Sequence, residues 1–70
     1  MNIYWITLRG QVDVHEVNAS SPHQMTPLLG EPGTTLVTIC TDQSGLIGLV
    51  RHLHNLGFEI VSIVCKRNEP

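Results

Sequence analysis

The sequence predicts an α+β fold, a four-stranded antiparallel sheet with one main helix on one face. Three observations carry that expectation. Runs rich in β-branched and aromatic residues stand at Ile3–Thr7, Thr34–Thr41 and Glu59–Cys65, the composition of strands. Between the last two, Leu46, Leu49, Val50, Leu53 and Leu56 recur at three- and four-residue steps, which marks one buried helical face. Gly30-Glu31-Pro32-Gly33 supplies turn chemistry between a weak strand and a strong one, so the two should form a hairpin.

The first strand is expected over residues 3–12. Ile3 and Trp5 fall on one of its faces, and Tyr4, Ile6 and Leu8 on the other. A strand apolar on both sides is usually covered on both sides. Asp13 to His23 is the least readable stretch. Asp13 could cap a turn or two of helix, and Ser20-Ser21-Pro22 would end it, because the residue before proline avoids the α region. A loop or a short helix fits equally. Residues 24–29 read as a weak strand interrupted by Pro27, which cannot donate to a ladder and therefore belongs at an edge.

The strong strand over 34–41 sets Leu36 and Cys40 against Val37 and Ile39. The main helix is expected over about 43–56, with Asp42 at its entrance and Gly57 as its C-terminal stop. Gly48, Arg51, His52 and Asn55 fall on its polar face. The final strand, over about 59–65, should place Ile60 and Val64 on one face and Val61, Ile63 and Cys65 on the other. A polar tail follows from Lys66.

This order is strand, loop or short helix, strand, strand, helix, strand, in one domain spanning residues 1–70. A strand–helix–strand unit within one sheet makes a right-handed crossover. The compact solution is a ferredoxin-like arrangement with the first strand between the third and the fourth. One helix covers one face. The other face would leave an apolar patch of several hundred Å², which soluble monomers rarely expose. Homodimerisation through the sheet is the simplest remedy, since closed two-fold dimers are the commonest oligomers.

Composition narrows the function classes. Seventy residues allow a single domain, and a chain this short buries only about 60% of its unfolded surface. Four Lys and Arg against six Asp and Glu give a formal charge of −2, with no basic stripe to neutralise phosphates, so no nucleic acid is expected as a partner. The longest apolar stretches, Leu46–Val50 and Ile60–Cys65, fall far short of the roughly 20 residues of a membrane span, so no membrane is expected either. MNIYWITLRG lacks the basic region and small-residue cleavage site of a signal peptide, and the expected location is the cytoplasm. Cys40 and Cys65 are too few for a disulfide scaffold and, inside strands, should behave as small buried hydrophobes.

Few residues suggest chemistry. Asp42 reads first as an N-cap whose carboxylate accepts backbone N–H groups. The functional alternative joins Asp42, Gln43, Ser44 and Gly45 into a ligand-binding turn, because glycine near a helix start lets a small anion approach backbone donors. His52 and His54 lie about 160° apart around a helix axis and cannot share a metal. His54 should flank the apolar face, and His52 should point to solvent. With His15 and His23 they form no zinc spacing, so no metal and no cofactor is expected. Ser44 lacks the G-x-S-x-G elbow, and no catalytic residue is assigned. Tyr4 and Trp5 could stack a ligand, but such residues more often fill a core or an interface.

Two resemblances emerge from these residues. Asp42, Gly45, Leu46, Leu53, Gly57 and the run from Ile60 to Ile63 make the segment from Thr34 to Lys66 resemble the first half of an ACT domain, although here that half comes last. The resemblance implies an amino-acid-binding regulatory module with a ligand near the acid–glycine turn. A second resemblance covers most of the chain. Tyr4, Ile6, Leu8 and Gly10, then Gly33-Thr34-Thr35-Leu36, then Asp42-Gln43, Leu46, Gly48-Leu49-Val50-Arg51, Leu53 and Leu56-Gly57, then Val61-Ser62-Ile63, are similar to a family of small uncharacterised bacterial proteins. It implies the same fold and a bacterial, cytoplasmic origin. The leading expectation is a non-enzymatic homodimeric interaction or accessory module, with a protein partner or a small-molecule effector as further candidates. The alternatives are an ACT-like amino-acid sensor and a small ferredoxin-fold dimeric enzyme; the last rests on fold analogy alone.

Overall fold

Alternation along the first strand divides the sheet into a covered side and an open side. In the computed structural model, which describes residues 1–66, β1 (Asn2–Arg9) turns Tyr4, Ile6 and Leu8 into the core and leaves Trp5 exposed on the other side. The chain continues through α1 (Val14–Ala19), β2 (Thr26–Leu28), β3 (Thr34–Thr41), α2 (Gln43–Asn55) and β4 (Ile60–Lys66). The expected polar tail beyond Lys66 lies outside the described residues. Every strand pair is antiparallel, and the order is β2-β3-β1-β4, so β1 lies between β3 and β4. The fold is α+β, with a four-stranded antiparallel sheet and two helices.

Both helices lie over the same side of the sheet. Leu49 and Leu53 of α2 and Val14 and Val17 of α1 join Tyr4, Ile6, Leu8, Val37 and Ile39 in one cluster, closed by Met25. Ile6, Leu8, Val37, Leu49 and Leu53 are fully enclosed. Each such side chain contributes about 1.5–3 kcal/mol relative to exposure, so five of them dominate the stability of a domain this small.

The element bounds differ from sequence expectation where backbone and side-chain hydrogen bonds intervene. β1 stops at Arg9 rather than Val12. Gly10 adopts a positive φ of 85°, and its N–H donates to the carbonyl of Gly33 at 2.7 Å. The Thr35 hydroxyl then donates to the Gly10 carbonyl at 2.8 Å and accepts the Val12 N–H at 3.0 Å, which turns the chain off the sheet. A short helix does form after it, with the Asp13 carboxylate accepting the Glu16 N–H at 3.2 Å. Asn18 fastens the segment that follows. Its amide donates to the Met25 carbonyl at 2.8 Å and accepts the Met25 N–H at 2.9 Å, so one side chain replaces two missing ladder bonds and buries Met25. β2 is therefore shorter than residues 24–29.

β4 departs from simple alternation. Thr7 pairs with Ser62, but Leu8 pairs with Ile60, so Val61 is an extra residue in a bulge. Ile60 consequently packs against the core, while Val61 borders the open side beside Thr7 and Leu36. The expected grouping of Ile60 with Val64, and of Val61 with Ile63, is corrected by that bulge. The expected burial of the cysteines is corrected too: Cys40 and Cys65 are both exposed. Cys40 pairs with Ile3 on the open side, and Cys65 belongs to an edge strand that α2 does not cover. Leu56, expected on the buried helical stripe, is the C-cap residue and is exposed.

Two glycines of α2 give opposite predictions. A Cβ at buried Gly45 would overlap the Thr41 hydroxyl, which is itself buried. Gly48 is exposed, and a Cβ there would meet only His23, at an ordinary 3.4 Å. Gly45→Ala should therefore cost about 1–3 kcal/mol through overpacking. Gly48→Ala should gain about 0.5–1 kcal/mol from helix propensity. Urea unfolding of the two variants checks the contrast; equal effects would contradict this packing.

Candidate functional site

The open side of the sheet is the most distinctive surface of the protein. Register places Trp5 directly between Thr38 and Val64, Ile3 between Cys40 and Lys66, and Leu36 between Leu28 and Thr7. Paired residues share a face, so these side chains form one continuous layer across all four strands. Trp5 is 37% exposed, Val64 47% and Val61 48%. Charge is confined to the two ends of this layer. The Lys66 ammonium sits 5.8 Å from the centroid of the Trp5 ring, a cation–π geometry that contributes about 0.5–1 kcal/mol at an exposed site. At the far end Arg9 Nε pairs with Glu59 Oε2 at 2.6 Å; both side chains are solvated, so the pair adds well under about 1 kcal/mol.

The β2–β3 loop gives this layer a rim. Gly30 packs so closely on β3 that a Cβ there would lie 3.2 Å from the Leu36 nitrogen. The loop thus walls a recess of about 600 Å³ floored by Thr7, Leu36 and Val61, with Leu29 and Glu31 at its lip. Leu29 is almost wholly exposed. Nothing in the sequence signalled the recess, because it depends on the bulge that turns Val61 toward Thr7.

Asp42, Gln43, Ser44 and Gly45 do come together at the start of α2. Asp42 Oδ1 accepts the Gly45 N–H at 2.8 Å, and the Asp42 carbonyl accepts the Leu46 N–H at 3.0 Å. Asp42, Gln43 and Ser44 are exposed, and Gly45 is buried against Thr41. This is the geometry of an N-cap. The histidines of α2 reverse their expected places. His54 is exposed, whereas His52 is half-buried with a buried Nε2 that has no hydrogen-bond partner among the described residues. Gly48 lies one turn earlier on the same flank of α2. It has no side chain, and His23 from the segment after α1 lies over it. Among the described residues no group of three or more His, Cys, Asp and Glu side chains could hold a metal ion. Among the described residues no helix is long and apolar enough to cross a membrane.

Residues 3–64 match the family model described as Domain of unknown function (DUF8691), and the chain belongs to that family. No curated protein matches it, and no solved structure does.

The cap geometry at Asp42 makes a specific prediction. Asp42→Ala should destabilise the fold by about 1 kcal/mol, while Asp42→Asn, which keeps the accepting oxygen, should retain most of that stability. Thermal and urea unfolding measure both. A loss far above this range, or an equal loss in both variants, would show that the carboxylate does something other than cap α2.

Proposed function

We propose that the chain is a non-enzymatic interaction module that works as a homodimer, joined through the open side of its sheet. The observation that carries this reading is the uncovered layer in which Ile3, Trp5, Leu28, Leu36, Val61 and Val64 stand among Thr7, Thr26, Thr38 and Ser62, on a sheet whose helices both lie on the other side. Strands of eight, three, eight and seven residues, about 4.8 Å apart, make a face of roughly 400 Å² in projection. Two such faces bury roughly 800 Å² before side-chain relief is counted, the size of a small, weak interface rather than an extensive one. A single tryptophan at the centre is the kind of anchor on which interface energy concentrates.

The strand order and the helices after β1 and β3 support the ferredoxin-like reading of the architecture. The sequence similarity to small bacterial proteins supports a bacterial, cytoplasmic setting. An amino-acid-sensing role would need the Asp42–Gly45 turn, whose carboxylate already accepts a backbone N–H.

Light scattering should report a mass of two or more chains. Trp5→Glu should halve that mass by placing a charge in the apolar layer. Trp5→Ala should weaken self-association by about 2 kcal/mol, roughly thirty-fold in dissociation constant. Trp5 is the sole tryptophan, so dilution should shift its fluorescence to the red as the dimer separates. A strictly monomeric wild-type chain would overturn the proposal. An amino acid that raises the melting temperature of wild type but not of Asp42→Ala would favour the sensor instead.

A further inference from the structure

We infer that β4 is a second self-association element, whose free edge pairs antiparallel with β4 of another copy around a two-fold axis at Val64. The observation is the inequality of the two sheet edges. Proteins blunt edges by making them short or by placing proline, charge or a covering loop there. β2 has three residues with Pro27 in the middle, and the loop after it folds back onto β3. β4 has seven residues, Ile60–Lys66, with no proline and no charge before Lys66.

A second observation points the same way and is independent of the open face. Ile63 and Cys65 pair with buried Ile6 and Tyr4, so they lie on the helix-covered side of the sheet. Ile63 is nevertheless 41% exposed, and Cys65 is exposed. The helices do not reach that far, and a dimer formed through the open face leaves this side as it is. A strand added beyond β4 gives these side chains cross-strand neighbours on the same face.

The partner is a second copy because the strand is its own complement. Its regular part, past the bulge, is Ser62–Lys66, and Val64 is the centre. Antiparallel pairing about Val64 sets Ile63 beside Cys65 on the helix side and Val64 beside Val64 on the open side. Ser62 meets Lys66, so no like charges stand opposite. The two-fold closes the contact instead of propagating it. It also lengthens the open apolar layer, because Val64 is the direct neighbour of Trp5. With both contacts in use, each chain touches two others.

Cross-linking and mass test the two contacts separately. Residues facing each other on an antiparallel two-fold have Cα atoms about 4.5–5.5 Å apart, within disulfide range, whereas stacked sheets lie about 10 Å apart and cannot be bridged. In a Cys40→Ser, Cys65→Ser background, Val64→Cys should form a disulfide dimer in most chains on mild oxidation. Leu29→Cys should not. Ile63→Lys, at an exposed position, should fold as wild type by circular dichroism and halve the mass measured by light scattering. No Val64→Cys cross-link, or an unchanged mass for Ile63→Lys, overturns the edge contact. The open-face contact is read apart from this one. If only the edge operates, wild type is a dimer that Trp5→Glu leaves intact and Ile63→Lys dissociates. If only the face operates, those two responses are exchanged.

Discussion

β1 has an apolar residue on each of its two faces along most of its length, and both helices lie over the same face. Most of the structure follows from that imbalance. Tyr4, Ile6 and Leu8 anchor the single core, and β1, between β3 and β4, is the strand that the rest of the sheet is built around. Trp5, opposite Thr38 and Val64, is the cost of the same alternation: a large aromatic ring that the fold of one chain does not cover. A strand with polar residues at positions 3 and 5 would give the same core without the open layer. Core packing therefore does not demand these side chains.

α1 limits how far one chain can cover itself. Six residues make less than two turns, and only Val14 and Val17 reach the core. The segment after it is held by Asn18 and by Gln24, whose amide donates to the carbonyls of Asn18 and Ser21. Side-chain hydrogen bonds thus do the work that a longer helix would do by packing. They bring Met25 into the core and His23 over Gly48, but among the described residues no strand pairs with the outer edge of β4. In a domain of this size the shortfall in cover is a large fraction of the whole surface.

The parts legible in the sequence are those governed by periodicity. Alternation in Ile3–Leu8 and in Leu36–Cys40 assigned faces correctly, and the three- and four-residue spacing located α2 with Leu49 and Leu53 at its buried centre. What was illegible depends on single residues acting across the fold. One extra residue in β4 exchanges the faces of Ile60 and Val61, and no local pattern announces it. The clamp from Asn18 to Met25 spans seven positions, across a stretch that reads as loop or short helix and then as a weak strand. Cys40 and Cys65 obey strand alternation, yet their exposure depends on which face and which strand the helices reach. His52, assigned to the solvent side by the helical wheel of α2, is half-buried.

The turn at Asp42 shows why a motif and a site must be argued separately. An acid and a glycine before a helix suit a ligand-binding turn, and they equally suit a helix that must begin against a packed strand. Here Gly45 is buried because Thr41 occupies the space a side chain would need, and Asp42 spends one oxygen on the Gly45 N–H. The first-turn N–H groups of a helix attract anions through their partial positive charge. A carboxylate already seated there neutralises that attraction and repels a second negative group. Any ligand approaching this end must therefore bring a cation or a neutral donor toward Asp42. The charge that fixes the start of α2 is the same charge that closes it to anions.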